Sequence, residues 1–309
     1  MTYLLVAIVL VLAVPPFMNF FMPEPLVRLY FGMRRRRGRV SQKWVTVGDI
    51  RWPYLEGGPK DGDILVMVHG FGGNKDNWAA YARHFTESYR VIAPDLPGFG
   101  DNSKDLSLAF DIKAQTKRLI EFLDAMKIEK CHLSGNSMGG FITLQCALMA
   151  AEKLHSISLF TNAGVEATRK SALELSIDAG ENLFEVNTIE DVTRVYSLIF
   201  HEELYLPLAF KKVQYAQAKS NRAILDKIFQ ALVAELPDSY LDSQLKNVTV
   251  PTLIIWGRHD QIIDISCAEK MQRDIPQSEL VIFEDCGHIP MLEKPKASAK
   301  NQLRFIKSL

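Results

Sequence analysis

Short unbroken apolar runs alternate along the chain with longer stretches in which apolar positions recur every three or four residues. ILVMVHG (64–70), YRVIAPD (89–95), KCHLSG (130–135), SISLFTN (156–162), TLIIWG (252–257) and LVIFED (280–285) are of the first kind. A continuous apolar run bounded by glycine or polar residues is the pattern of a strand buried on both faces. Between most of these runs the spacing predicts helices, over about 78–85, 110–126, 138–151, 266–273 and 297–308. Strands alternating with helices imply a mostly parallel sheet with helices on both faces. KWVTV (43–47) and IRWPYLE (50–56) read as an antiparallel hairpin turning at Gly48-Asp49.

One interval departs from the alternation. Residues 163–247 contain no strand-like run but several helical patterns, among them 172–180, 191–200 and 221–235. A helical segment of this length, entering before the penultimate strand, predicts a cap over the strand ends. The expected organisation is a membrane anchor and basic segment over 1–40, a catalytic core formed by 41–162 and 248–309, and the cap over 163–247.

The first residues read differently from the rest. YLLVAIVLVLAV (3–14) carries no charge, and after Pro15-Pro16 the apolar character continues to Met22. Twenty-two residues of helix span about 33 Å, close to the thickness of a hydrocarbon core. Arg28, Arg34, Arg35, Arg36, Arg37 and Arg39 follow. A cleaved signal peptide would need a basic start and a small-residue cleavage site, and it has neither. A soluble core helix would show a polar face. The favoured expectation is a retained N-terminal transmembrane helix, kinked at the prolines, with the arginines at phosphate headgroups. The positive-inside rule then leaves the body of the protein on the cytoplasmic side, which for a bacterial chain means the inner membrane. The anchor offers a route to a homodimer, but no small-xxx-small motif supports one.

Composition narrows the function classes. The 309 residues carry 36 basic and 36 acidic side chains, a formal charge of zero. With no basic stripe interleaved with aromatics, nucleic acid is not an expected partner. Cys131, Cys146, Cys267 and Cys286 form no C-x-x-C pair and no dense framework, so neither a zinc site nor a disulfide scaffold is indicated.

The candidate chemistry centres on GNSMG (135–139). G-x-S-x-G between a strand and a helix is a nucleophile elbow, a turn too sharp for side chains at its flanks. It would hold Ser137 at its tip, with the N-terminal N–H groups of the next helix directed at the developing charge. HGFGG (69–73) ends an earlier buried strand. The backbone N–H groups of Phe71 and Met138 are candidate oxyanion donors, and His69 is expected to shape the loop. A serine needs a base. Of seven histidines, His288 in DCGHIPMLEKP lies in a loop after the last strand, where a base can meet the elbow. His84, His132, His155, His201 and His259 read as surface or packed residues. The base needs an orienting carboxylate, and WGRHDQIID (256–264) offers Asp260 and Asp264. Asp260 comes first after the strand and is the preferred acid, whereas Asp264 is placed to cap the following helix. DLPGFG (95–100) is either an active-site wall or a plain turn, and Cys286 reads as packing.

In the order HGFGGNKDNW, DLPGFG, GNSMGG, WGRHDQIID and GHIPMLE, behind an apolar N-terminus, these segments resemble the α/β-hydrolase superfamily over about residues 43–309. Within it the chain is similar to membrane-anchored monoacylglycerol lipases of the alpha/beta-hydrolase-domain-6 type and to bacterial lipases and membrane-bound phospholipases A. The resemblance implies an α/β-hydrolase fold, a Ser137 nucleophile, a His288 base, an Asp260 acid, and Phe71 and Met138 as the oxyanion hole. It implies a lipid or fatty-acyl ester as substrate, with no metal or organic cofactor. LYLPLAF (204–210) and AILDKIFQALVAEL (223–236) are apolar enough to line an acyl tunnel or to form the cap's own core. A hydrolase of small soluble esters or C–C bonds, and a non-catalytic membrane-anchored binding protein, are the competing expectations.

Overall fold

The computed structural model describes residue 19, residues 21–234, residue 236 and residues 238–309. Among the described residues eight strands form one sheet: β1 (Val40–Val47), β2 (Ile50–Gly57), β3 (Ile64–Val68), β4 (Arg90–Pro94), β5 (Cys131–Asn136), β6 (Leu154–Phe160), β7 (Thr252–Gly257) and β8 (Ser278–Phe283). Their spatial order is β1-β2-β4-β3-β5-β6-β7-β8. The β1–β2 hairpin and the β2–β4 pair are antiparallel, and all remaining pairs are parallel.

The continuous apolar runs fold as strands because both faces of the sheet are covered. Val66 and Val68 of β3 and Ile254 and Trp256 of β7 point into one core. Their neighbours Leu65, Met67, Leu253 and Ile255 point into the other. Period-two alternation thus divides each run between two apolar layers. Helices α2 (Ile112–Ala125), α3 (Met138–Met149), α8 (Ser266–Asp274) and α10 (Pro295–Lys307) complete these layers, with the short α9 (Pro290–Glu293) before α10.

Between β6 and β7 lie α4 (Ala172–Asp178), α5 (Ile189–Ile199), α6 (Leu208–Ser220) and α7 (Arg222–Ala234). Helix α6 is not evident from periodicity, because it buries only Ala209 and Val213. The helix expected over 78–85 is instead a pair of 3₁₀ turns, Lys75–Asn77 and Tyr81–His84. Buried Ala79, Ala82 and Phe85, and buried Trp78 and Tyr81, recur every three residues, the repeat of a 3₁₀ turn.

The basic segment near the N-terminus is helical as α1 (Pro23–Arg37). It packs through Val27 against Ala209 and Val213 of α6. The Asn19 side chain accepts a 2.8 Å hydrogen bond from the Ala209 amide at the start of α6. Among the described residues no helix is long and apolar enough to cross a membrane. The run expected to form the anchor falls mainly on residues 1–18 and 20, outside those described, so the described helices lend the transmembrane expectation no support.

Candidate active site

The sheet reverses its strand order around β3, and the loops that follow β3, β5, β6 and β7 meet at its carboxyl edge. Ser137 lies between β5 and α3 with φ 56° and ψ −121°, a left-handed conformation that a side chain rarely adopts. Three backbone bonds hold it there. Its amide donates to the Phe160 carbonyl (3.0 Å), and its carbonyl accepts from Phe141 (3.0 Å) and Ala163 (3.1 Å). The flanking glycines are required by contact. A Cβ on Gly135 would lie 2.1 Å from the Gly139 carbonyl oxygen, and one on Gly139 would lie 2.4 Å from that of His69.

The HGFGG loop runs directly beside this turn: a Cβ on Gly70 would stand 3.0 Å from the Ser137 Cβ. His69 is fully buried, its Nδ1 2.8 Å from the Gly70 carbonyl and its Nε2 accepting from the Leu96 amide at 3.1 Å. Burial lowers its proton affinity, so it is a neutral strut for the loop. Met138 is the first residue of α3, so its N–H is one of the helix's unpaired N-terminal donors, beside Ser137.

His288 and Asp260 are brought together from loops 28 positions apart, with His288 Nδ1 2.8 Å from Asp260 Oδ2. The Asp260 side chain is completely buried. Its other oxygen accepts from the amides of Ile262 (2.8 Å) and Ile263 (3.0 Å). A carboxylate held by two amides cannot swing away from the imidazole. Ser137, Phe71 and His288 line one cavity of about 1130 Å³. Asp264 instead accepts from the Ser266 amide at the start of α8 (2.9 Å).

Several residues of this arrangement take no role from the sequence motifs. The His288 carbonyl accepts from Thr161 Oγ1 at 2.6 Å and from Asn136 Nδ2 at 3.2 Å. Asn136 Nδ2 also reaches Thr161 Oγ1 (2.9 Å), and both residues are buried. The His288 amide donates to the Ile199 carbonyl at the end of α5 (2.8 Å). Glu293 accepts from the amides of Gly287 (2.9 Å) and His201 (2.8 Å). The histidine's loop is therefore pinned to β5, β6, α5 and α9 together. The one signal in the sequence is a polar residue at the end of each of two buried strands.

The remaining histidines are packed or superficial. His132 hydrogen-bonds Ser156 Oγ at 2.7 Å, and burial together with nearby His155 pushes its pKa down to about 4. His201 and His259 stack with centroids 4.0 Å apart. Cys286 is a buried free thiol whose pKa burial raises.

The cavity is amphipathic. Its apolar wall comes from Val192, Val195, Tyr196 and Ile199 of α5 with Phe184 and Phe200. The segment 204–210, expected as a candidate tunnel wall, instead supplies Ala209 and Phe210 to the packing against α1. Among the described residues of 223–236 only Leu225 reaches the cavity, while Ile224 and Ile228 enter the main core. These helices must first bury their own stripes. Phe99 and Gly98 make the 95–100 turn part of the cavity wall.

A model of the alpha/beta hydrolase fold matches residues 63–295. Lipase 1 of Psychrobacter immobilis is 34% identical over 257 residues, covering 82% of this chain and 79% of that protein. Monoacylglycerol lipase abhd6-B of Xenopus laevis is 27% identical over 308 residues, covering 95% of this chain and 90% of that one. A crystal structure of a membrane phospholipase A, described as a bacterial virulence factor, superposes with a TM-score of 0.89 at 35% identity. It covers 100% of this chain and 99% of its own.

Proposed function

The chain belongs to the alpha/beta hydrolase fold family, and we propose that it is a serine carboxylic-ester hydrolase of membrane lipids, acting on monoacylglycerol, lysophospholipid or phospholipid acyl esters. The observation that carries the reading is His288 on the wall of the cavity that Ser137 also lines from its strained turn, with buried Asp260 2.8 Å behind the imidazole.

Asp260 accepts the Nδ1 proton of His288, which leaves Nε2 free to take a proton. Ser137 Oγ attacks the ester carbonyl as His288 removes its proton. The Phe71 and Met138 amides stabilise the resulting oxyanion, a contribution of about 10²–10³ in rate per donor. The imidazolium then protonates the leaving alcohol, and water activated by His288 releases the fatty acid. The neutral imidazole is the form that takes the serine proton.

The substrate class follows from the cavity and from the kinship. Its wall of α5 side chains, Phe184 and Phe200 is suited to an alkyl chain. Lipase 1, the monoacylglycerol lipase and the membrane phospholipase A support an acyl lipid as the ester. In this reading residues 41–162 and 248–309 are the catalytic core, 163–247 a cap that selects the acyl chain, and 1–40 a membrane anchor with its basic segment. The apolar run over 3–22 and the arginines behind it support the anchor.

The test is acyl release by the detergent-purified full-length protein from monoacylglycerol, lysophospholipid, diacyl phospholipid and short soluble esters, with Ser137→Ala as control. Lipid hydrolysis that disappears with the substitution is expected. Turnover of short esters alone would overturn the lipid assignment, and no Ser137-dependent turnover of anything would overturn the enzyme.

A further inference from the structure

The loop carrying Phe71 is rich in glycine: Gly70, Gly72 and Gly73 lie within four positions. Such a segment has little conformational preference of its own. An oxyanion donor must nevertheless be held to a fraction of an ångström before the charge develops. Something outside the loop has to supply that rigidity.

On one side His69 does so. On the other, the loop continues into Asn74, Lys75 and Asp76, and each is tied down. Lys75 is buried, with its ammonium 2.7 Å from both Asp95 Oδ2 and Asp101 Oδ2. Its amide also donates to Asp95 Oδ1 (2.7 Å). Asp76 accepts a two-pronged bond from Arg35 of α1, Nε to Oδ1 and Nη2 to Oδ2, both 2.6 Å. The third guanidinium nitrogen donates to Gln42 of β1 at 2.8 Å, and Gln42 in turn reaches Asp101 at 3.3 Å. The Asp76 side chain is 8% exposed and that of Arg35 27%, so the pair is largely withdrawn from water.

A second contact joins the same two elements. At the end of α1, Gly38 is pressed on the backbone that follows the loop: a Cβ there would lie 1.8 Å from the Ala79 carbonyl oxygen. The Gly38 carbonyl accepts from Thr86 Oγ1 at 3.2 Å. Helix α1 therefore touches the segment after the glycines by a charge fork and by backbone apposition, and it also packs on α6 through Val27 and meets β1 at Gln42. Val27, Phe31 and Arg35 place it on the cavity wall as well.

We propose that Arg35 is a positioning residue for the oxyanion hole, clamping the Phe71 loop through Asp76, so that the helix following the apolar N-terminal run is part of the catalytic apparatus. The inference rests on the reading of the Phe71 amide as an oxyanion donor. A planar fork on a carboxylate fixes orientation as well as distance, and a lysine ammonium at this site supplies charge without orientation. The consequence is that the membrane-proximal helix and the oxyanion loop share one rigid joint.

The experiment uses the full-length protein in detergent with Arg35→Met and Arg35→Lys. Arg304→Lys, at an exposed ion pair with Glu279 away from the cavity, serves as control. Active sites are titrated with a fluorophosphonate so that kcat refers to competent molecules. Arg35→Met is expected to lose about tenfold or more in kcat, with KM within about twofold, and to bind a trifluoromethyl ketone analogue of the tetrahedral intermediate correspondingly more weakly. Arg35→Lys should recover part of this loss, and the control none of it should show. A merely structural arginine would lower the melting temperature and the titratable fraction yet leave kcat per site and ketone affinity unchanged, and that result overturns the proposal. Amide hydrogen exchange over 70–78 is read in parallel, with faster exchange expected in Arg35→Met. Unchanged exchange overturns the clamp even if the wild type were to hydrolyse nothing, an outcome that would separately remove the oxyanion reading.

Discussion

Replacing Thr161 by valine isolates the tether on the backbone of His288, the proposed base. Valine keeps the shape and the β-branch, so the packing of this fully buried position and its unusual backbone (φ 43°) are retained. What disappears is one hydroxyl. Its proton is donated to the His288 carbonyl at 2.6 Å, and its oxygen accepts from Asn136 Nδ2 at 2.9 Å. The His288 carbonyl keeps only the 3.2 Å bond from Asn136, which is shared with the Phe160 carbonyl. Weakening a buried acceptor's hydrogen bonding in this way costs about 1–3 kcal/mol of stability. The functional cost is separate. An imidazole displaced by about 1 Å can lose up to 10² in rate, and a partial release of its loop should lose about tenfold, or ~1.4 kcal/mol of barrier. The assay is kcat and KM on a monoacylglycerol emulsion, per titrated active site, for wild type, Thr161→Val and Thr161→Ser. The valine variant should lose kcat with little change in KM, and serine should restore most of it. Equal kcat in valine and wild type, or a serine variant as impaired as valine, would refute the tether.

Gly135→Ala should abolish fluorophosphonate labelling and lower stability by more than about 3 kcal/mol, because the methyl meets the Gly139 carbonyl at 2.1 Å and Thr143 Oγ1 at 2.4 Å; a labelled, stable variant would show that the elbow tolerates a side chain. Phe184, tilted against Phe71 at 5.6 Å on the cavity wall, should when changed to alanine reduce kcat/KM for long-chain esters about tenfold and leave short-chain esters nearly unaffected; an unchanged long-to-short ratio would exclude it from the acyl wall. Buried His132 titrates near 4 in the folded chain, below its ordinary value of ~6.5 when unfolded, because burial and His155 disfavour its charged form. Its contribution is therefore complete above about pH 6.5 and is lost as pH falls towards 4, about 3 kcal/mol over that window. Urea unfolding at pH 7 and pH 4.5 should show a smaller acid loss in His132→Asn than in the wild type, and equal losses would contradict the assignment.

Much of the fold is visible in the sequence, and the reason is periodicity. A strand buried on both faces must be apolar at every position, so runs such as ILVMV and TLIIW declare themselves. The hairpin at Gly48-Asp49 is equally plain, with Val47 paired to Ile50 as the turn requires. Where burial is slight the signal fades. Helix α6 presents two buried residues in thirteen and was not evident, and the 78–85 segment follows a repeat of three that resembles an α-helix in composition.

The candidate site divides along the same physical line. Ser137 is marked by glycines because a turn that brings two backbones within contact distance excludes side chains, and such exclusion is written locally. His288 and Asp260 are readable as the first suitable side chains after two strands. Thr161, Asn136, Glu293 and Arg35 are not, since each acts by a hydrogen bond to a residue distant in sequence: Arg35 lies 41 positions from Asp76, and Asn136 lies 152 from His288. The sequence by itself determined the sheet, the elbow turn and which side chains are candidates for the chemistry, because these depend on residue type and local spacing. Only the tertiary structure decided what holds them in place and which helices face the cavity, because hydrogen bonds and shared walls exist only once remote segments have been packed against one another.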